Sequence, residues 1–149
     1  MPLLTDRPGE VADFVADRAH APDGYENYQA VGVVDQDGTI VAGMVFESWN
    51  RHSVNIHLAI DDPSKVALGF YKYCFRYAFE TMGCHRINAM CVDGYERNER
   101  LLEGMCFKRE GVLREGWRLP DGQVVDAAIY GCLRSECRLI PKELRHEEA

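Results

Sequence analysis

One stretch limits the folds open to this chain more than any other. From Ser53 to Ile60, Val54, Ile56, Leu58 and Ile60 face one way and Asn55, His57 and Ala59 the other. That is the period of a half-buried strand. Asp61-Asp62-Pro63-Ser64 stops it, and Ser64 is placed to cap a helix running to about Met82. The polar positions of this helix, Lys65, Lys72, Arg76 and Glu80, fall on one narrow stripe; Val66, Phe70, Tyr73, Cys74, Tyr77, Ala78 and Phe79 fill the rest. A helix so apolar around its circumference packs against a sheet and a neighbour. Gly83 closes it, and Arg86 to Val92 reads as the next strand. A strand, helix, strand unit therefore sits at the centre of the chain.

The flanks fit around this unit. Val11, Phe14, Val15 and Ala19 give Glu10 to Ala19 a helical spacing, and Ala21-Pro22-Asp23-Gly24 breaks it. Tyr28 to Val34 and Thr39 to Phe46 read as strands joined by a turn at Gln36-Asp37-Gly38. Asp93-x-x-Glu96 resembles a capping box opening a second helix through Met105. Phe107 to Trp117 and Gln123 to Leu133 read as strands joined by Leu119-Pro120-Asp121-Gly122, and the charged tail from Pro141 is expected to fray. The order predicts a mixed α/β (α+β) fold, with a mostly antiparallel central sheet flanked by helices. No repeat, low-complexity tract or linker divides it, so residues 1–149 are expected to form one domain.

With 24 acidic and 17 basic residues, the net charge of -7 disfavours non-specific nucleic-acid binding and suits a partner or substrate carrying amines. No apolar run is long enough to span a bilayer, and the start, MPLLTDRPGE, has no basic segment followed by an apolar one. A cytoplasmic location with no membrane partner is the expectation. Cys74, Cys84, Cys91, Cys106, Cys132 and Cys137 include no C-x-x-C pair. They read as reduced, buried small hydrophobes, and no metal site is expected.

Three strings point to a family. They are Tyr77-Ala78-Phe79-Glu80-x-x-Gly83-x-His85-Arg86-Ile87; Arg100-Leu101-Leu102-Glu103 with Phe107-Lys108-Arg109-Glu110-Gly111-Val112-Leu113-Arg114; and Asp126-x-x-Ile129-Tyr130-Gly131-x-Leu133-Arg134-x-Glu136. Together they resemble the GNAT N-acetyltransferase superfamily over roughly residues 28 to 138, most of all the branch that acetylates ribosomal-protein N-termini. The resemblance implies acetyl-CoA as co-substrate, bound where the central strand ends. There a glycine-rich turn and a helix N-terminus hold the pyrophosphate through backbone amides. In this chain that place is Ala59 and Ile60 with Asp61 to Ala67, so Ser64, Lys65, Val66 and Ala67 are the implied coenzyme contacts. Pro63 and Lys65 occupy the two glycine positions, and Pro63 has no N–H to donate. In the next helix Asn98 stands where the family commonly has Ser, and it could hydrogen-bond the pantetheine arm.

The family reaction is direct attack of an amine on the acetyl thioester. It needs a proton acceptor for the amine, donors for the developing oxyanion and an acid for the thiolate. His57 is the candidate base, with Glu47 at the preceding strand end in reach of the same cleft and Tyr130 as candidate acid. Each also has a plain structural reading: a histidine in a polar layer, a solvated carboxylate, a core tyrosine. Asp126 and Arg114 are expected to pair across the last two strands. The acceptor is an amine: a protein N-terminus, a lysine or a small molecule. Homodimerisation through the apolar last strands stays open. The other reading is a non-catalytic member of this fold that binds a protein partner.

Overall fold

In the computed structural model, which describes residues 2–146, the alternating segments build one seven-stranded sheet. Its elements are β1 (Leu3–Leu4), α1 (Pro8–Ala19), β2 (Gln29–Val34), β3 (Ile40–Glu47), β4 (Ser53–Ile60), α2 (Leu68–Arg76), β5 (Arg86–Val92), α3 (Glu96–Gly104), β6 (Lys108–Arg118) and β7 (Val124–Leu133). Across the sheet the order is β1-β2-β3-β4-β5-β7-β6. Only β4 and β5 pair in parallel, because the α2 crossover returns the chain to the same end.

The two sheet faces are buried differently. One face carries Val31, Val33, Met44, Phe46, Val54, Ile56, Ile87, Ala89 and Tyr130, packed with Phe70, Cys74, Phe75 and Phe79 of the α2 segment. The other carries Ala30, Val45 and Ala59 beneath Val11, Phe14 and Val15 of α1. Helix α1 lies close enough that a Cβ on Gly43 would stand 2.8 Å from a Val11 methyl and 2.9 Å from a Val15 methyl. Glycine is what lets this helix seat.

Several local expectations need correction. Ser64 does not cap α2: Asp62 caps a short 3-10 turn at Pro63–Lys65, and α2 begins at Leu68 after an uncapped Ala67. The helix continues as a π-helical turn over Tyr77–Thr81, where the Met82 amide reaches the Tyr77 carbonyl at 2.9 Å. No side-chain bond caps α3; instead Asp93 accepts from Arg109 at 2.8 Å. Asp126 takes the Glu115 amide at 2.9 Å rather than Arg114, and so steadies an irregularity in β6 where Glu115 has φ 53°. The tail is tied down as far as His146. Arg134 Nε donates to the Leu144 carbonyl, Arg145 Nη2 donates to the Ile140 carbonyl at 3.3 Å, and Ile140 is buried. The rest of the predicted tail, 147–149, lies outside the described residues.

All six cysteines are free, and all but Cys106 are buried. Burial pushes the Cys84 and Cys91 thiols up to about 11, as small hydrophobes kept out of water require. No helix among the described residues is long and apolar enough to cross a membrane.

Candidate active site

Strands β4 and β5 stay together only briefly. Ser53, Val54 and Asn55 pair with Arg86, Ile87 and Asn88, and then the strands part. Beyond that point β4 is held by β3, out to Ile60 against Ala42, and β5 by β7, out to Val92 against Ala127. Among the described residues, the facing edges of 56–60 and 89–92 pair with no strand. Their peptide groups therefore present donors and acceptors to an extended ligand that enters between them.

His57 sits where the parting begins. Its Nε2 lies 2.9 Å from Glu47 Oε1, and the two side chains are 32% and 22% exposed, so the pair is sheltered but reachable. The other Glu47 oxygen accepts the Glu26 amide at 3.0 Å. Tyr25 stacks on the imidazole with ring centres 4.4 Å apart. Its hydroxyl is buried with no hydrogen-bond partner among the described residues. Burial, with the Glu47 charge adding to it, pushes this phenol up to about 12, so it stays protonated at neutral pH. The structure thus brings His57 and Glu47 together. It adds Tyr25, which the sequence reading missed because it stands in an irregular segment with no periodicity to mark it.

Tyr130 is elsewhere. It is 1% exposed and belongs to the α2-side core, whereas His57 alternates onto the opposite face. Its hydroxyl donates to Glu99 Oε1 at 3.1 Å, and Arg109 Nη1 donates to the same oxygen at 2.6 Å. Burial and this carboxylate push the Tyr130 phenol up to about 12. Tyr130 therefore sits as a core tyrosine with its hydroxyl bonded to Glu99, and the structure does not bring it together with the His57–Glu47 pair.

The coenzyme turn also differs from expectation. Ser64 spends its amide (3.0 Å) and its hydroxyl (2.7 Å) on Asp62 Oδ1. The Lys65 and Val66 amides turn back to the Asp62 and Pro63 carbonyls. Asp61 is gripped by both Arg18 Nε and Nη2, at 2.6 and 2.9 Å, and this guanidinium holds its carboxyl below the usual carboxylate range. Val66 and Ile60 pack against the α2-side core, while Ala59 is buried on the α1 side. Of the predicted contacts, Ala67 alone lies at an open helix start. The first bond of the helix runs from the Phe70 amide to the Ala67 carbonyl at 3.0 Å, so the amides of Ala67, Leu68 and Gly69 precede it with no intrahelical acceptor and no side-chain cap. A Cβ on Gly69 would meet nothing within 4 Å, so the approach there is open. Gly69 was the available signal: glycine is disfavoured inside a helix but tolerated in its first turn. Asn98 lies half-buried near the start of α3 with its amide on the Tyr95 carbonyl at 3.1 Å. Among the described residues no cluster of three or more His, Cys, Asp or Glu side chains could hold a metal ion.

Comparison with solved structures identifies the architecture. A point variant of the spermidine N-acetyltransferase SpeG from Vibrio cholerae superposes with TM-score 0.72, at 16% identity, over 91% of this chain and 96% of its own. Charge-neutralised forms of the spermidine/spermine N-acetyltransferase SpeG from Vibrio cholerae give TM-score 0.73, 15% identity, and 90% and 94% coverage. A third structure, inferred to be an acetyltransferase, is 25% identical over 80% of this chain and 64% of its own, with TM-score 0.65. No family model and no curated protein sequence matches the chain. The chain has the GNAT acyltransferase fold; the ribosomal-protein branch gains no support from these structures.

Proposed function

We propose that this protein is an N-acetyltransferase that moves an acetyl group from acetyl-CoA to an amine. The observation that carries the reading is the His57–Glu47 pair at the point where β4 and β5 part. An extended pantetheine arm between the two strand edges would satisfy their free peptide groups and bring its thioester to the imidazole. The backbone amides of Ala67, Leu68 and Gly69 would offer the pyrophosphate its anion site at the start of α2.

The reaction balances without further reactants. The neutral amine attacks the thioester carbonyl and a C–N bond forms. His57 takes the amine proton, the C–S bond breaks, and the imidazolium returns that proton to the leaving thiolate, which departs as CoA. Alignment of amine and thioester supplies much of the acceleration. The acidic chain, with net charge -7, suits a cationic acceptor. The named structural neighbours act on spermidine, which makes a small polyamine the first acceptor to try. A lysine side chain and a protein N-terminus are the alternatives.

The second reading, a non-catalytic partner-binding member of the fold, draws on one observation: Ser64, Lys65 and Val66 turn their amides inward, and Pro63 has none. Calorimetric titration with acetyl-CoA separates the two. Saturable binding followed by acetyl transfer to spermidine, a lysine peptide or a free-N-terminus peptide supports the enzyme. Absence of binding at millimolar acetyl-CoA would leave the partner-binding reading.

A further inference from the structure

Helix α1 packs on β2, β3 and β4. Over β5, β7 and β6 the same sheet face shows apolar side chains to solvent, and His57 stands at the boundary. Asn55 pairs with Asn88, and their side chains meet on this face, Asn88 Nδ2 donating to Asn55 Oδ1 at 2.9 Å. Two residues further along each strand, the alternation sets Met90 across the parting from His57 and on the same face. Met90 is 44% exposed. The half-buried Ile129 of β7 pairs with Met90, and Gly111 of β6 pairs with Ile129. A Cβ on Gly111 would meet nothing within 4 Å. Leu113, next on this face of β6, is 47% exposed. A row of carbon surface therefore leads away from the imidazole over β5, β7 and β6.

The polar groups beside this row are matched to one another. Asn88 Oδ1 accepts from Arg86 Nε at 2.6 Å, and Arg86 Nη2 donates to Glu110 Oε1 at 2.5 Å. That ion pair lies over Gly131, where a Cβ would collide with both partners. Glu47 is bonded to His57. A second ammonium laid along the row would give up water for carbon, with both of these carboxylates already paired. An apolar body gains from the same contact. Apolar surroundings also favour the neutral amine, which is the form that attacks. We propose, on the acetyl-transfer reading above, that Met90 and Ile129 seat the acceptor, and that the acceptor is a primary amine on an apolar carbon body without a second cation.

The test compares hexylamine, a short peptide with an N-terminal leucine, and spermidine as acceptors for the whole protein with acetyl-CoA. The better of the first two should exceed spermidine in kcat/KM by about tenfold or more, and which of them leads distinguishes a free amine from a chain terminus. Met90→Glu should lower kcat/KM for the leading acceptor about tenfold, mainly through KM, and raise it for spermidine. Met90→Leu keeps the carbon surface and should keep the order of acceptors. Val112→Glu changes an exposed side chain on the other face of β6 and should leave that order alone. A binding measurement accompanies the kinetics: the Met90 methyl resonance should move on saturation with hexylamine and stay in place with spermidine. Hexylamine that moves this resonance without being acetylated keeps the seat and counts against acetyl transfer. Spermidine acetylated at an equal or higher kcat/KM overturns the seat and leaves acetyl transfer standing. A Met90 resonance that neither hexylamine nor the peptide moves overturns the seat as well.

Discussion

A histidine works as a base only when one ring nitrogen keeps its lone pair for the substrate. Glu47 can only accept a hydrogen bond, so the contact at 2.9 Å places the proton of neutral His57 on Nε2 and leaves Nδ1 as the acceptor. Glu47 is in turn fixed by the Glu26 amide, so the imidazole has little freedom to turn. On the proposed chemistry, His57→Ala should lower turnover about 100-fold or more, the usual size of a general-base contribution, with acetyl-CoA affinity nearly intact. Glu47→Gln should lower turnover less, because it releases the tautomer and leaves the base in place. Steady-state kinetics beside a binding isotherm check both; turnover unchanged in His57→Ala removes the residue from the mechanism. Tyr25 calls for a stability measurement. Its buried hydroxyl has no partner among the described residues, so Tyr25→Phe should be neutral or stabilising by about 1 kcal/mol. Urea unfolding reads this directly, and a loss of stability would mean that the hydroxyl is paired in solution.

At the scale of elements, close packing and helix ends decide the outcome. Gly43→Ala places a methyl within 2.8–2.9 Å of Val11 and Val15, so α1 must shift off the sheet at a cost of about 1–3 kcal/mol. Gly69→Ala should act in the opposite sense on stability. Its Cβ meets open space, and alanine in a helix is favoured over glycine by up to about 1 kcal/mol. If coenzyme phosphate lies against the first turn of α2, the same methyl obstructs it and acetyl-CoA affinity falls. A variant that gains stability and binds acetyl-CoA as before would place the phosphate elsewhere. The crossover around α2 was legible in the sequence because alternation in β4 and the apolar circumference of the helix are repeated signals, each residue confirming the last. The helix start was not. Ser64 looks like a cap by type, but Asp62 captures both its donors, and only the folded turn shows which of two neighbouring polar residues accepts. The pairing of His57 with Glu47 was legible as proximity, since adjacent antiparallel strands bring their ends together. The fate of Tyr130 was not, because whether a strand tyrosine points at a cleft or a core depends on register with α3 and β6.

At the scale of the molecule, one ligand experiment joins the separate parts. The sheet is continuous except where β4 and β5 part, so a ligand seated there would connect the β1-to-β4 half with the β5-to-β6 half. Ligand bound only by the folded state raises its stability by mass action: about 2.7 kcal/mol at one hundred times the dissociation constant. For a domain of this size that corresponds to a rise in melting temperature of roughly 5–10 °C. The rise alone does not say where acetyl-CoA binds. Hydrogen exchange supplies the location. Coenzyme in the gap should protect amides within 56–60 and 89–92 and at the start of α2, and leave the segment around Arg134 and Arg145 unchanged. Protection confined to that latter segment would count against the gap as a coenzyme seat. A rise that is lost in Gly69→Ala would tie the stability of the whole sheet to the opening between its two halves, as the proposed acetyl transfer requires.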